Sequence, residues 1–304
     1  FTYIRPEAIE EYAGLGDELK SQIGELHAQA EPLNGDAQII DRDSMWRVKM
    51  HALWLIFKAG RSEERQKAFD DYKSTSAEGL EAYATWCLCY DKWGAPTGEA
   101  DSWEKRLDKN SDEVQGLRRQ FPDTLDFYRW LEWIADEQLG AAQQAAKDAG
   151  MQIGQRVKER PVQIKNCKLI HGSISLSVHP SGSDVWWNPE RFAKGATVGA
   201  PPDYFNQQGQ DWSQPPLNPI ELENTGYLTY RHMVQGMFAH AGAVRIDHIL
   251  GLFRLWWIPS GHTPKDGAYV QYDSEIMLGI LALEASRAHG VVVGEDLGVV
   301  PDHV

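Results

Sequence analysis

Residues 291–296, Val291-Val292-Val293-Gly294-Glu295-Asp296, form a short apolar run that ends on a glycine and two acids. A run of this kind is typical of a buried strand in a parallel sheet, because it is too short and too apolar for a surface strand. A second strand is predicted at residues 243–247, Ala243-Val244-Arg245-Ile246-Asp247, and it too ends on a carboxylate.

A helical pattern precedes each predicted strand. One helix is predicted over residues 227–240, and a second begins at a Ser274 cap and ends at Gly290, with a long loop before it. The order of helix, strand, helix, strand builds a parallel sheet, and in a (β/α)8 barrel the carboxyl ends of such strands carry the reactive side chains. We therefore expect Asp247 and Glu295 at the same rim of an α/β barrel.

The first 150 residues are predicted to be mostly helical. Ser62 precedes acidic residues at the start of one helix, an apolar stripe of helical period runs through residues 80–90, and a longer helix follows Pro122 and stops at Gly150. The second half has loops rich in Pro, Gly, Asn and Gln, of which the longest spans residues 199–216. Such loops carry function more often than packed elements do.

The composition is that of a globular chain with a neutral or polar ligand. Its 304 residues with 42% hydrophobic content suffice for one large α/β barrel or two ordinary domains. The net charge of −14, from 30 basic and 44 acidic residues, argues against nucleic-acid or anionic-membrane partners, which an acidic surface would repel. Twelve Trp and eleven Tyr residues provide aromatic faces that bind sugars, bases and apolar ligands as well as filling cores.

The cysteines and the chain start bear on cellular location. Three cysteines, Cys87, Cys89 and Cys167, make an odd number in a large chain, which favours reduced thiols and a cytoplasmic location. The sequence has no apolar run of roughly eighteen residues and no signal peptide. Because the chain begins at Phe1 without an initiator Met, we expect it to be a piece of a longer protein.

Two carboxylates at one barrel rim fit retaining glycosidic chemistry. One ionised carboxylate attacks the anomeric carbon and a second, protonated carboxyl donates to the leaving oxygen, with the pair about 5 to 5.5 Å apart. Arg245 lies on the same side of its strand as Asp247 and favours the ionised form of that carboxylate, as a nucleophile requires. Glu295 follows three valines, and a drier site would raise its pKa and keep a proton available, as a general acid requires.

The same residues have other interpretations. An Arg-x-Asp motif at a strand end is often a structural ion pair, and a Glu-Asp pair often caps a helix or lies in a solvated turn. His248 and His262, together with Glu295 and Asp296, could also be the ligands of a metal-dependent barrel hydrolase. No His-x-His pair and no i, i+4 His pair supports a metal site.

Several motifs together resemble one known family. They are Ile4-Arg5-Pro6-Glu7, the loop from Gly199 to Pro216, Val244-Arg245-Ile246-Asp247-His248, Leu252-Phe253-Arg254-Leu255-Trp256-Trp257-Ile258-Pro259 and Gly294-Glu295-Asp296-Leu297-Gly298. In order and spacing the chain resembles the 4-α-glucanotransferases called amylomaltases or disproportionating enzymes, glycoside hydrolase family 77. The resemblance implies a (β/α)8 TIM-type barrel, incomplete in this chain. Residues 1–34 and 121–304 would be barrel segments, and residues 35–120 an inserted, mainly helical subdomain.

The resemblance also implies a site and an activity. Asp247 would be the nucleophile and Glu295 the general acid/base of a retaining double displacement that transfers α-1,4-glucan segments between maltooligosaccharides, with glucose as a further substrate. Substrate-binding positions implied in the same way are Arg245, His248, Asp203, Tyr204, Phe205, Gln210 and Trp212. The mechanism asks for no metal or other cofactor. The alternatives are a catalytically silent chain that only binds maltodextrin and, for Trp212, a packing role.

The sequence departs from the family in residues 155–178. There the family has a short strand that ends in a sugar-contacting Asp, whereas this segment is longer, has no Asp and carries five Lys or Arg residues against one acid. We expect a reading-frame slip corrected downstream, with a surface insertion as the alternative. The family's first barrel strand and its third carboxylate, which follows the acid/base strand, also lack counterparts, so we expect an internal segment of the family's chain.

Overall fold

The computed structural model describes residues 1–35, 38–151, 154–157 and 178–295, with residues 154–157 described by their backbone. Helices make up most of the first half of the chain, and two small sheets lie in the second half. Within the described ranges, no helix combines the length and the apolar character needed to cross a membrane. Asp296, Cys167 and most of the atypical stretch at residues 155–178 lie outside the described residues.

The first half of the chain is helical, as predicted. Its described helices are α1 (Glu10–Ala13), α2 (Asp17–Ala30), α3 (Arg42–Lys58), α4 (Glu63–Thr75), α5 (Ala77–Trp93), α6 (Trp103–Arg106), α7 (Asp112–Gln120) and α8 (Pro122–Asp148). The predicted start of α4 is confirmed, because the Ser62 hydroxyl accepts the Arg65 backbone N–H at 3.2 Å. The long helix predicted after Pro122 is confirmed as well.

One hydrophobic core holds these helices together. Leu53 and Ile56 of α3 and Trp130 of α8 are fully buried in it. The same core includes Ile4 near the chain start and Trp186 from the second half. The division of the chain into segments at residues 34 and 120 stays a prediction.

The second half alternates short strands and helices. Its described elements are β1 (Gly154–Val157), α9 (Ser183–Trp187), β2 (Ala196–Ala200), β3 (Gln210–Gln214), α10 (Pro219–Asn224), α11 (Leu228–Phe238), β4 (Ala243–Ile246), β5 (Arg254–Pro259), β6 (Ala268–Gln271), α12 (Ser274–Arg287) and β7 (Val291–Gly294). Short 3-10 helices lie between several of them, in both halves of the chain.

The parallel sheet has the order β1-β4-β7 in the described part of the chain. Val244 and Ile246 of β4 are buried in a second core with Met233 of α11 and Met277 of α12. The predicted alternation of helix and strand, with the two acid-terminated strands adjacent, is therefore confirmed. The strand β1 occupies the start of the atypical stretch, so a strand is present there beside β4.

An antiparallel sheet of order β3-β2-β5-β6 lies beside the parallel one, and sequence analysis missed it. Residues 199–216 were predicted as loop, but residues 199–200 belong to β2 and residues 210–214 form β3, so the connecting loop is residues 201–209. The long loop predicted before α12 contains β5 and β6. These strands form because Leu255 and Ile258 are buried and β5 pairs with β2 around Val198.

Two further predictions are wrong in detail. The cap of α12 is Asp273 rather than Ser274, because the Asp273 carboxylate accepts the Ile276 backbone N–H at 3.1 Å. Val291 and Val293 are 60% and 52% exposed rather than buried. In the described sheet β7 pairs only with β4, and its Val291–Val293 face, which also carries Arg245 of β4 in register, is not covered by a packed layer.

Candidate active site

Asp247 follows directly after β4 and is 1% exposed. Arg245 lies two residues earlier, on the same face of the strand, and its Nε is 3.0 Å from Asp247 Oδ1. The guanidinium itself is open to solvent, since the Arg245 side chain is 40% exposed. The arginine thus places a positive charge directly beside the buried carboxylate at the end of β4.

Glu295 follows directly after β7, the parallel neighbour of β4. Its backbone N–H donates to the Ile246 carbonyl at 2.8 Å, which continues the strand pairing to the rim. Its carboxylate Oε1 lies 2.5 Å from Arg245 Nη2. One guanidinium therefore contacts both Asp247 and Glu295, and the structure brings the two predicted acids together at one rim.

The expectation that the pKa of Glu295 is raised is wrong. Burial by itself would raise the pKa of the carboxyl, as we expected from the preceding valines. The His248 backbone N–H, the Arg245 hydrogen bond and the positive charges of Arg245 and His248 outweigh burial and lower the pKa of Glu295 below its usual range. The sequence argument assigned Arg245 to Asp247 alone and so missed its second partner.

His248 adopts a left-handed backbone conformation, with φ 56° and ψ 49°. A non-glycine residue in this region is uncommon and carries strain, which proteins tolerate where the surrounding structure requires it. This conformation directs the His248 backbone N–H to Glu295 Oε2, at 3.4 Å. The turn after β4 thus wraps around the acid of the neighbouring strand, and the Ile249 N–H donates to the Glu295 carbonyl at 3.0 Å.

Two side chains of β3 extend the site from the antiparallel sheet. The Trp212 ring packs on the His248 ring, with centroids 5.5 Å apart and planes tilted by 31°. The Trp212 indole N–H donates to Gln210 Oε1 at 3.0 Å. Six predicted residues, Asp247, Glu295, Arg245, His248, Trp212 and Gln210, are therefore joined by direct contacts.

The other three predicted positions lie on the loop between β2 and β3. The Asp203 carboxylate accepts the backbone N–H groups of Phe205 at 2.8 Å and Asn206 at 2.6 Å, so it shapes its own loop. Tyr204 and Phe205 are 89% and 94% exposed, with their rings perpendicular at 5.6 Å. This loop presents two open aromatic rings, and its described hydrogen bonds are internal.

Sequence analysis missed the role of Gly294 and Ile249 at this rim. A Cβ on Gly294 would come within 3.0 Å of Ile249 Cγ1, so the glycine lets the turn after β4 lie close against β7. Ile249 also holds the Glu295 carbonyl through its N–H. The sequence signal was a glycine placed immediately before an acid at a strand end.

The described residues contain no group of three or more His, Cys, Asp or Glu side chains arranged to hold a metal ion. His262, a candidate ligand in the metal-site interpretation, has its Nδ1 3.3 Å from the carbonyl oxygen of Ser260. Glu295 is occupied by Arg245 and the His248 backbone. The rim is thus a site of two carboxylates and one arginine.

Two carboxylates at the carboxyl ends of adjacent parallel strands fit the class of retaining glycoside-processing enzymes, and comparison with known proteins identifies the family. The family model of glycoside hydrolase family 77, described as 4-alpha-glucanotransferase, matches residues 1–304. The 4-alpha-glucanotransferase of Mycobacterium tuberculosis (strain H37Rv) is 42% identical over 299 residues, which are 98% of this chain and 38% of that protein. That of Haemophilus influenzae is 32% identical over 282 residues, covering 88% and 38%. The chain belongs to the 4-alpha-glucanotransferase family.

Two solved structures of longer amylomaltases share the fold of this chain. The crystal structure of amylomaltase from Corynebacterium glutamicum matches with a TM-score of 0.80 and 37% identity, over 99% of this chain and 38% of that one. Amylomaltase from Streptococcus agalactiae in complex with acarbose shares the fold at a TM-score of 0.72 and 17% identity, over 88% and 52%. The prediction of an incomplete TIM-type barrel with inserted helices is confirmed, and this chain spans 38% of the length of its first relatives.

Proposed function

We propose that this chain carries the catalytic pair of a 4-α-glucanotransferase, which moves α-1,4-glucan segments between maltooligosaccharides with retention of configuration. The observation that carries the proposal is the placement of Asp247 and Glu295 on adjacent parallel strands, where both contact Arg245. Membership of the 4-alpha-glucanotransferase family supports the reaction class. The maltooligosaccharide and glucose substrates and the assignment of each residue are part of the proposal.

In the first step an Asp247 oxygen attacks the anomeric carbon while the glycosidic C–O bond breaks. Glu295 gives its proton to the leaving oxygen, and the departing glucan carries away the bonding electron pair. In the second step a sugar hydroxyl attacks the same carbon and displaces Asp247, and its proton passes to Glu295. Two inversions give retention, and Glu295 ends in its starting protonation state.

Glu295 must carry a proton before the first step, and its contact with Arg245 opposes this. The Arg245 guanidinium at 2.5 Å favours the ionised carboxylate. We propose that the incoming glucan displaces Arg245 Nη2 from Glu295, so that the glycosidic oxygen becomes the partner of the carboxyl. Arg245 Nε keeps its contact with Asp247 during this change.

Aromatic and amide groups would hold the glucan. The Trp212 ring offers an apolar face to the C–H face of a pyranose, while Gln210 and His248 supply polar partners for hydroxyls. The loop that carries Asp203, Tyr204 and Phe205 would cover the bound sugar, and its exposed rings are suited to that contact. An oriented acceptor hydroxyl under such a loop has the advantage of proximity over bulk water, which favours transfer over hydrolysis.

We also propose that the protein is cytoplasmic and binds neither nucleic acid nor membranes. Cys87 and Cys89 are buried and form no disulfide among the described residues, which suits a reducing compartment. The net charge of −14 opposes association with polyanions.

Incubation with maltotriose tests the proposed activity. Transfer gives longer maltooligosaccharides together with free glucose, whereas hydrolysis gives glucose and maltose alone. A silent binding protein leaves maltotriose unchanged while still binding it, as measured by calorimetry. Asp247→Asn is the matched control, because it keeps the side-chain shape and removes the nucleophile. Longer products that persist in Asp247→Asn would contradict the assignment.

A further inference from the structure

An aromatic cavity lies in the helical half of the chain, away from the candidate active site, between the end of α5 and α6. It has a volume of about 490 Å³, and its walls include Trp93 and Trp103. Small-molecule sites typically occupy roughly 300–1,000 Å³. None of its lining residues belongs to the candidate active site. We call it the Trp93 cavity.

The two indoles form a fixed aromatic wall. Trp103 is 9% exposed, and its indole N–H donates to the Gly94 carbonyl at 3.0 Å. Trp93 is 37% exposed and packs on Trp103, with ring centroids 5.9 Å apart. One ring is therefore anchored behind the other, and the outer ring keeps an accessible face.

A buried carboxylate holds the loop that closes the cavity. Glu104 is 9% exposed and accepts the Gly98 N–H at 2.8 Å and the Ser102 hydroxyl. Burial alone would raise the pKa of Glu104, but these hydrogen bonds lower it, so the carboxylate stays ionised. A buried ionised group is costly unless it is fully bonded, and here its bonds fix the loop over residues 97–102. The active-site chemistry proposed above makes no use of this loop.

The rim of the cavity is polar and exposed. Asp101, Arg106 and Glu113 line it, and none of the three has an ion-pair partner among the residues that the structure describes. The two carboxylates outnumber the one guanidinium, so the rim disfavours an anionic ligand. A purely apolar ligand is also disfavoured, because it would remove water from these charged groups without replacing its hydrogen bonds. An aromatic wall with hydroxyl-binding groups at its edge suits a neutral, polyhydroxylated ring.

We infer that the Trp93 cavity binds a short segment of α-1,4-glucan, with a pyranose ring on the Trp93 face and its hydroxyls bonded to Asp101, Arg106 and Glu113. The choice of this glucan rests on the proposed function, whereas the choice of a neutral sugar ring rests on the cavity. The site is a second place where the chain holds its substrate.

Indole NMR of the whole chain tests this inference without requiring turnover. The protein is labelled with ¹⁵N-tryptophan and titrated with maltoheptaose, and Trp93→Phe and Trp212→Phe variants assign the two indole signals. We expect the Trp93 and Trp212 signals to move with saturation, each along its own binding curve. Glycerol at the same hydroxyl concentration is the solvent control, and it should move neither signal in a saturable way.

The outcomes separate the two proposals. A moving Trp212 signal with a static Trp93 signal overturns the cavity and leaves the active site intact. A moving Trp93 signal with a static Trp212 signal supports the cavity and contradicts the proposed glucan contact of Trp212. If both stay fixed, the glucan is the wrong ligand for both sites.

Variants at the rim provide the second measurement. The double variant Asp101→Asn, Glu113→Gln keeps the shape and hydrogen-bonding capacity of both side chains but removes their charges. We expect the Kd read from the Trp93 signal to rise about fivefold or more. Trp46→Phe is the matched control, because Trp46 is 39% exposed and does not line the cavity. An unchanged Trp93 binding curve in the Asp101→Asn, Glu113→Gln variant would overturn the inference.

Discussion

Arg245 is the shared partner of two carboxylates, with its Nε 3.0 Å from Asp247 and its Nη2 2.5 Å from Glu295. The proposed chemistry asks for opposite protonation states in these two acids when the glucan is bound. A planar guanidinium can bond both at once, and it can release one while keeping the other. The pKa of Glu295 would then depend on whether the glucan has displaced Arg245 from it.

Replacing Arg245 with lysine should change the pH dependence of the reaction. A lysine ammonium is a point charge and cannot bridge both carboxylates in the same way, so the pKa of Glu295 should rise from its lowered value. Since the first step needs protonated Glu295, the basic limb of the kcat/KM profile should move to higher pH, with a roughly 10- to 100-fold lower maximum. Arg254→Lys, on β5 against Tyr269, is the control. An unmoved basic limb in Arg245→Lys would contradict the shared-partner role.

Glu295→Gln removes the proposed proton donor. It should therefore slow only substrates whose leaving group needs a proton. With maltotriose we expect a loss of roughly 10²- to 10⁴-fold in kcat, which is the usual contribution of general acid catalysis. With α-maltosyl fluoride, whose fluoride leaves without a proton, formation of the Asp247 intermediate should stay near the unmodified rate. Burst kinetics of fluoride release measure this step. Equal losses on both substrates would remove Glu295 from the acid role.

Gln210→Leu should disturb Trp212 rather than the acids. The leucine leaves the Trp212 indole N–H without its acceptor at 3.0 Å, so we expect the ring to lose its fixed position on His248. KM for maltotriose should rise roughly three- to tenfold with little change in kcat. Gln210→Glu keeps an acceptor oxygen and should restore KM. Gln120→Leu, at the exposed end of α7 in the helical half, is the control that should behave as the unmodified chain.

Gly294→Ala should displace the turn that holds Glu295. The new methyl would lie 3.0 Å from Ile249 Cγ1 and 3.1 Å from its Cβ, so one of the two strand ends must shift by a few tenths of an ångström. We expect a loss of transfer activity, partly restored by adding Ile249→Gly, which removes the Cγ1 and Cβ atoms that the new methyl would meet. In Gly279→Ala the added methyl meets nothing within 4 Å, and that control should stabilise α12 by about 0.5–1 kcal/mol. Full activity of Gly294→Ala would show that the turn has room to spare.

Arg65→Met should destabilise the helical half. The Arg65 side chain is 9% exposed, packs 4.0 Å from the Trp133 ring centroid and pairs with Glu11 and Glu137. Removing it leaves Glu11, whose side chain is 4% exposed, as an uncompensated charge, which typically costs about 3–5 kcal/mol. Urea unfolding measures the loss. Lys58→Met breaks the exposed pair with Asp123 and should cost about 1 kcal/mol or less.

The sequence predicted the elements whose signals are local. β4 and β7 were found because apolar runs ended on acids, and α8 was found because its apolar residues repeat at helical spacing. β5 and β6 were missed because β5 pairs with β2, which lies more than fifty residues upstream, and β6 in turn pairs with β5. The apolar run also could not predict that Val291 and Val293 are exposed, because burial of a strand face depends on whether another layer packs on it.

The sequence predicted which residues lie at the site, but it did not predict the contacts and charges that set the pKa of Glu295. Strand ends gave Asp247 and Glu295, and the two-residue spacing gave Arg245 beside Asp247. The second contact of Arg245 joins two strands, so no spacing along the chain could show it. The left-handed His248 and the tight approach of Ile249 to Gly294 are likewise properties of the folded rim.

The buried thiol of Cys89 in α5 gives this protein its own chemical reporter of core opening. Burial raises the pKa of Cys89 to about 12, so the reactive thiolate is scarce in the folded helical core at neutral pH. Alkylating reagents should then modify Cys89 only in molecules whose core has opened. The rate of its alkylation would count those excursions directly, without any spectroscopic label and without perturbing the rim on which Asp247 and Glu295 meet.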